Sequence, residues 1–125
     1  MSKKIFLVDD SATMLSTLKT SLMMNGFEVD TACDGVDALS KLKAGAFKPD
    51  LIITDVNMPN MDGLELIKNL RSLPAFRFMP ILIFTTESQS AKREEGKKLG
   101  ATGWLVKPTS APTLVGIIKE VLPGA

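Results

Sequence analysis

Short apolar runs alternate along the chain with segments whose apolar positions recur every three or four residues. The first run, Lys4 to Val8, breaks off at Asp9-Asp10-Ser11. From Ala12, the residues Leu15, Leu18 and Leu22 mark one face of an amphipathic helix, with Gly26 as a natural stop. Phe27 to Ala32 reads as a second strand, followed by a helix from about Val36 with Leu39 and Leu42 inward. Leu51 to Thr54 is a third strand, and Leu64, Ile67 and Leu70 mark a helix that must end before Pro74. Pro80 to Thr85 is a fourth strand, with proline first, where a missing N–H is tolerated. A helix over roughly Gln89 to Leu99 precedes a fifth strand, Gly103 to Val106. Leu114, Ile117, Ile118 and Val121 give the last helix.

Five strands alternating with five helices, each strand nearly continuously apolar, predict an α/β fold with a parallel sheet covered on both faces. Right-handed crossovers leave few topologies. One is the doubly wound five-stranded order 2-1-3-4-5 of flavodoxin-like folds, with the ends of strands one and three side by side at the switch point where ligands bind. That order brings Asp9, Asp10 and Asp55 together.

The 125 residues fit a single domain, 1–125, without repeat or linker. A net charge of +1 gives no electrostatic footprint for nucleic acid or an acidic membrane. The apolar runs fall far short of the ~20 residues of a membrane-spanning helix, and no signal-peptide core follows Met1-Ser2-Lys3-Lys4. The single cysteine, Cys33, excludes an internal disulfide and fits a reducing, cytoplasmic setting. With no histidine, neither a Ser-His-Asp triad nor a histidine zinc site can be built, and any phosphohistidine must lie on a partner.

The chemistry gathers at the strand ends. A carboxylate where a buried strand emerges is costly to desolvate, so something must use or neutralise it. Two carboxylates ~4 Å apart repel by roughly 4 kcal/mol at an effective dielectric near 20, so a three-acid cluster holds a proton, a cation, or both. Few ligands, all oxygen, suit Mg²⁺. With Mg²⁺ and Lys107 nearby, Asp55 can act as a nucleophile toward a phosphoryl group, whose equatorial charge the cations neutralise.

The set Asp9-Asp10, Asp55 followed by Met58-Pro59 and Asp62-Gly63, Thr85, and Lys107-Pro108 resembles the receiver domain of two-component response regulators over the whole chain. Within that family the run Asp55 to Leu66 is most similar to the stand-alone, CheY-like chemotaxis regulators. The resemblance implies that Asp55 is the phospho-acceptor and that a histidine kinase supplies the phosphoryl group. It implies Mg²⁺ on Asp10 and Asp55, on Asp9 mainly through water, and on the Asn57 backbone carbonyl. Lys107 would pair with the phosphoryl group, and Lys107-Pro108 would be a cis peptide. Thr85 would turn toward the phosphoryl group and Trp104 fill the vacated space, reshaping helix four, strand five and helix five. Asn57 and Glu87 would tune access of water to the acyl phosphate, here for fast self-dephosphorylation. The domain would thus be a monomeric signalling protein rather than an enzyme, with autophosphorylation and autodephosphorylation as its only activities. The partners implied are the kinase, a phosphatase and the flagellar motor switch. Thr109 and the charged Arg93, Glu94 and Glu95 depart from the motor-binding pattern, so a phosphate sink or a regulator of another motility system is the alternative.

Other readings have less support. An aspartyl-phosphate phosphatase would want a second acid two residues after the nucleophile, where Asn57 stands. A flavin carrier would want a Ser/Thr/Gly-rich phosphate loop where Asp9-Asp10 stands. Helix four shows only Ala91 and Leu99 as apolar anchors, and Gly96 inside it should cost about 1 kcal/mol against alanine. Its Lys92, Arg93, Glu94, Glu95, Lys97 and Lys98 read as a solvated face with some i,i+4 pairing. Met23-Met24 and Met58/Met61 read as core and loop filling, and Asp62 as a helix cap.

Overall fold

The computed structural model describes residues 2–123; Met1, Gly124 and Ala125 lie outside. The strands are β1 (Lys4–Val8), β2 (Glu28–Ala32), β3 (Leu51–Thr54), β4 (Ile81–Thr85) and β5 (Gly103–Val106). The helices are α1 (Ala12–Met24), α2 (Gly35–Ala44), α3 (Gly63–Arg71), α4 (Ser90–Leu99) and α5 (Ala111–Val121), with a 3-10 turn at Pro74–Phe76. All strand pairs are parallel, and the sheet order is β2-β1-β3-β4-β5.

The period-two alternation of strands splits the apolar residues into two cores, which is why the central strands read as unbroken runs. Phe6, Val8, Ile52, Ile81 and Ile83 point to one face, under Ala38 and Leu42 of α2 and Leu66, Ile67 and Leu70 of α3. Ile5, Leu7, Leu51, Ile53, Leu82 and Phe84 point to the other, under Leu18 and Leu22 of α1 and Leu114 and Ile118 of α5. Strand β2 corrects the expectation of a continuously apolar strand. As an edge strand it reads Glu-Val-Asp-Thr-Ala, and only Ala32 is buried.

Four of the five helices begin on a side-chain cap. Ser11, Asp34, Asp62 and Ser110 accept N–H bonds from Met14, Asp37, Glu65 and Thr113. Helix α4 begins at Gln89 with no such bond. Its anchoring also differs from the sequence reading. Ala91 is exposed, Leu99 is half-buried, and the only buried residue is Gly96. The expected i,i+4 pairing does not form there; among the described residues the one such ion pair is Lys41–Asp37 in α2. Met23 and Met24 are not core filling either, being 53% and 83% exposed at the free end of α1.

Arg71, unmarked by any sequence signal, ties this side together. Its guanidinium donates to the carbonyls of Phe76 (2.8 Å), Arg77 (3.3 Å), Met79 (2.6 Å) and Gly100 (2.6 Å). One side chain thereby fixes the α3–β4 connection and the C-terminal end of α4. Replacing Arg71 with Leu should lower the unfolding free energy by about 2–3 kcal/mol, since its charged hydrogen bonds, those to Phe76 and Met79 partly buried, are lost together. A loss in urea denaturation below about 0.5 kcal/mol, the range of an ordinary surface substitution, would contradict this.

Candidate functional site

The parallel ladder sets the position of two acids. Just past β1, Asp9 donates its backbone N–H to the Ala32 carbonyl at 3.2 Å, and just past β3, Asp55 donates to the Val8 carbonyl at 2.9 Å. Asp9 is buried; its Oδ1 accepts the Ser11 N–H at 2.9 Å. Asp55 is half-buried, and its Oδ1 accepts the Val56 N–H at 2.6 Å. Asp10 is exposed, and one carboxylate oxygen from each of Asp9, Asp10 and Asp55 lies within 4.8 Å of the others.

Lys107 enters from the opposite side of the cleft. Its N–H donates to the Thr85 carbonyl at 2.7 Å, the Lys107–Pro108 peptide is cis, and its ammonium nitrogen lies 5.4 Å from the centre of the Phe84 ring. The ammonium donates to Asp9 Oδ2 at 2.6 Å and to Asp55 Oδ2 at 3.2 Å. Burial alone pushes this amine's pKa down; the bond to Asp9 and the charges of Asp55 and Asp9 outweigh it, so the net shift is upward.

The loop after Asp55 is held at both ends. A β-carbon on Gly63 would run into the Asp55 carbonyl, so only glycine fits there. Asp62 caps α3, as its sequence position suggested. At the other end Asn60, with a left-handed φ of 67°, donates its side-chain amide to Asp34 Oδ2 at 2.8 Å. Asp34 was missed in the sequence, although an acid three residues before Asp37 at a helix start is a capping signal. The Asp37 N–H, then the Asn60 amide, hold its carboxyl below the usual range. Asn57 lies exposed on this loop, two residues beyond Asp55.

Thr85 and Trp104 are joined through Glu87. The Glu87 N–H donates to Thr85 Oγ1 at 3.2 Å, and Trp104 Nε1 donates to the Glu87 carbonyl at 3.0 Å. Thr85 is buried and Trp104 half-buried. The sequence reading gave Glu87 a role toward water; in the structure its backbone bridges Thr85 and Trp104.

The donor set fits a hard cation. Oxygens in an octahedral Mg²⁺ shell lie about 3–4.2 Å apart, given bonds near 2.1 Å. Three carboxylate oxygens within 4.8 Å of one another need little movement to reach that spacing. The three ligand atoms the cluster offers are all carboxylate oxygens, the hard donors such a cation takes.

An open α/β sheet with acids at the ends of its first and third strands, faced by a lysine after the fifth, forms an acidic pocket at the switch point of the sheet. The model of the response regulator receiver domain matches residues 5–119, and the chain belongs to that family. It is 40% identical over 112 residues to the chemotaxis protein CheY-3 of Vibrio cholerae, covering 89% of this chain and 85% of that protein. It is 38% identical over 122 residues to the alkaline phosphatase synthesis transcriptional regulatory protein PhoP of Bacillus subtilis, covering 98% of this chain. There the chain spans about half the relative's length, 49%. Among solved structures, the chemotaxis response regulator CheY4 of Vibrio cholerae superposes with a TM-score of 0.89 at 44% identity, covering 98% and 100% of the two chains. Receiver domains bind Mg²⁺ at an acidic cluster of this kind. No helix among the described residues is long and apolar enough to cross a membrane.

The upward shift of Lys107 has a definite sign. Its ammonium stabilises the fold fully below the free-lysine value of about 10.4, and that contribution is lost as pH rises through the higher folded value. Replacing Lys107 with Met should cost about 2 kcal/mol at pH 7. The gap from wild type should then close in alkaline solution. Equal stability at pH 7, or a gap that widens with alkali, would show that the ammonium does not hold the site.

Proposed function

We propose that this domain is a phosphorylation switch in which Asp55 accepts a phosphoryl group from a phosphohistidine on a sensor kinase. The observation that carries this reading is the placement of Lys107 against both Asp9 and Asp55, at 2.6 and 3.2 Å, beside a third acid. An Asp55 carboxylate oxygen attacks phosphorus, the phosphorus–nitrogen bond breaks, and the imidazole leaves with the bonding pair. Asp9, Asp10, Asp55 and the Asn57 carbonyl would hold Mg²⁺, which when bound neutralises charge on the phosphoryl oxygens. Lys107 keeps its positive charge through the reaction and exchanges a carboxylate partner for a phosphoryl oxygen. In a separate second step water attacks phosphorus, the phosphorus–oxygen bond to Asp55 breaks with the carboxylate keeping the bonding pair, and inorganic phosphate is released. Asn57 and Glu87 flank that approach and tune its rate; we assign fast self-dephosphorylation. Nothing here turns over an external substrate as a conventional enzyme does.

The switch is the path Thr85–Glu87–Trp104. When Thr85 Oγ1 turns to the phosphoryl group it releases the Glu87 N–H, and the Glu87 carbonyl is the acceptor for Trp104. Residues 1–125 would act as one monomeric cytoplasmic unit, whose α4, β5 and α5 face presents the state of Asp55 to a protein partner. Similarity to chemotaxis regulators supports the flagellar motor switch as that partner, with a phosphatase as a second. Arg93, Glu94 and Glu95 are exposed on α4, which favours a charged contact and keeps a phosphate sink as the second reading.

Replacing Asp55 with Asn should abolish labelling by a phosphorylated kinase or by acetyl phosphate; retained labelling would move the nucleophile elsewhere. Mg²⁺ at ten times its dissociation constant should raise the unfolding free energy by about 1.4 kcal/mol, and Asp10→Asn should remove most of that gain. A response to Mg²⁺ that survives Asp10→Asn unchanged would place the ion outside this cluster.

A further inference from the structure

Helix α4 meets the core through a glycine. A methyl group on Gly96 would lie 3.0 Å from Trp104 Cζ3, 3.2 Å from Trp104 Cε3 and 3.1 Å from Ile83 Cδ1. Contacts that short admit an alanine only if a neighbour gives way. Ile83 is fully buried in β4 and pairs with Trp104 across the β4–β5 ladder, so the half-buried indole is the group with somewhere to go. The indole N–H is held by one bond, to the Glu87 carbonyl at 3.0 Å. Glycine is among the poorest helix formers, and α4 already lacks a side-chain cap, so stability of the helix alone would favour alanine here.

We propose that Gly96 is the positioning residue for Trp104: by omitting a side chain it opens the space beneath α4 that an indole needs, and so sets whether the ring lies inward. The role rests on the reading of Thr85, Glu87 and Trp104 as the path from Asp55. Alanine at this position has two opposed effects. It strengthens α4 as a helix, and it pushes the ring away from Glu87, uncoupling the acidic pocket from the α4 and β5 surface. The crowding atoms, Cε3 and Cζ3, belong to the outer ring of the indole, which a phenylalanine lacks. Gly96 and Trp104 thus form a small–large pair, and the effect of changing one depends on the other.

The test uses Trp104, the only tryptophan, as its own reporter. In Gly96→Ala, without any phosphate mimic, Trp104 emission should shift to longer wavelength and become more quenchable by acrylamide. The affinity for beryllofluoride with Mg²⁺, read from the ¹⁹F signal of the bound mimic, should fall about 10-fold, within the usual range of coupling between two sites. In a Trp104→Phe background the same substitution should change that affinity by less than about 2-fold, because the contacts with the indole are gone and only the Ile83 Cδ1 contact remains. An unmoved emission in a folded Gly96→Ala protein overturns the proposal. So does an equal loss of affinity in both backgrounds, which would assign Gly96 to the helix rather than to the indole. If wild-type emission ignores beryllofluoride, the path from Asp55 fails, whereas the acrylamide comparison still judges the packing claim by itself. Should Gly96→Ala not fold, the double variant Gly96→Ala, Trp104→Phe must fold; its failure would also overturn the proposal.

Discussion

One ammonium group between two carboxylates organises this molecule. Asp9, Asp10 and Asp55 are drawn together by the sheet order, and their mutual repulsion would push them apart if nothing opposed it. Lys107 opposes it from the far side of the cleft with bonds of 2.6 and 3.2 Å. Because Lys107 follows the edge strand β5 and bonds its backbone to Thr85, the charge balance at the pocket is tied to the position of β5 and the end of β4. A new negative group on Asp55 would change what Lys107 is attracted to. It would therefore act on the elements that hold Lys107 and Thr85.

Those elements are unequal in firmness. Strands β1, β3 and β4 are buried throughout or nearly so, and four helices begin on side-chain caps. Helix α4 has no such cap, buries only Gly96, and is fastened at its C-terminal end by the bond from Arg71 to Gly100. A helix firm at one end and loose at the other, next to Thr85 and Glu87, is where a small change in charge can become a change in surface. The bond from Trp104 to Glu87 links that loose end to β5.

Much of the fold could be read in the sequence because its physical causes are local. Unbroken apolar runs at Lys4–Val8, Leu51–Thr54 and Ile81–Thr85 announce buried parallel strands, and the acids at their ends stand where backbone leaves the core. Asp62, just before the apolar period of the third helix, reads as a cap and caps α3. What escaped depends on contacts between distant segments. Arg71 binds carbonyls as far as Gly100, Asn60 reaches Asp34, and Gly96 looks like a weak point in a helix until Trp104 is seen against it. The edge position of β2 follows from the expected strand order, and Glu28, Asp30 and Thr31 mark it locally. Nothing local to Met23 and Met24 says that the end of α1 lacks a neighbour there.

The central claim, that charge at Asp55 is transmitted through Lys107 and Thr85 to α4 and β5, is most directly tested by amide hydrogen exchange with and without Mg²⁺ and beryllofluoride. The account predicts that protection changes in residues 86–95 and around Trp104 and Lys107, while the buried strands β1 and β3 and the helix α2 stay as they were. Changes confined to the acidic pocket, or spread evenly over the whole chain, would contradict it.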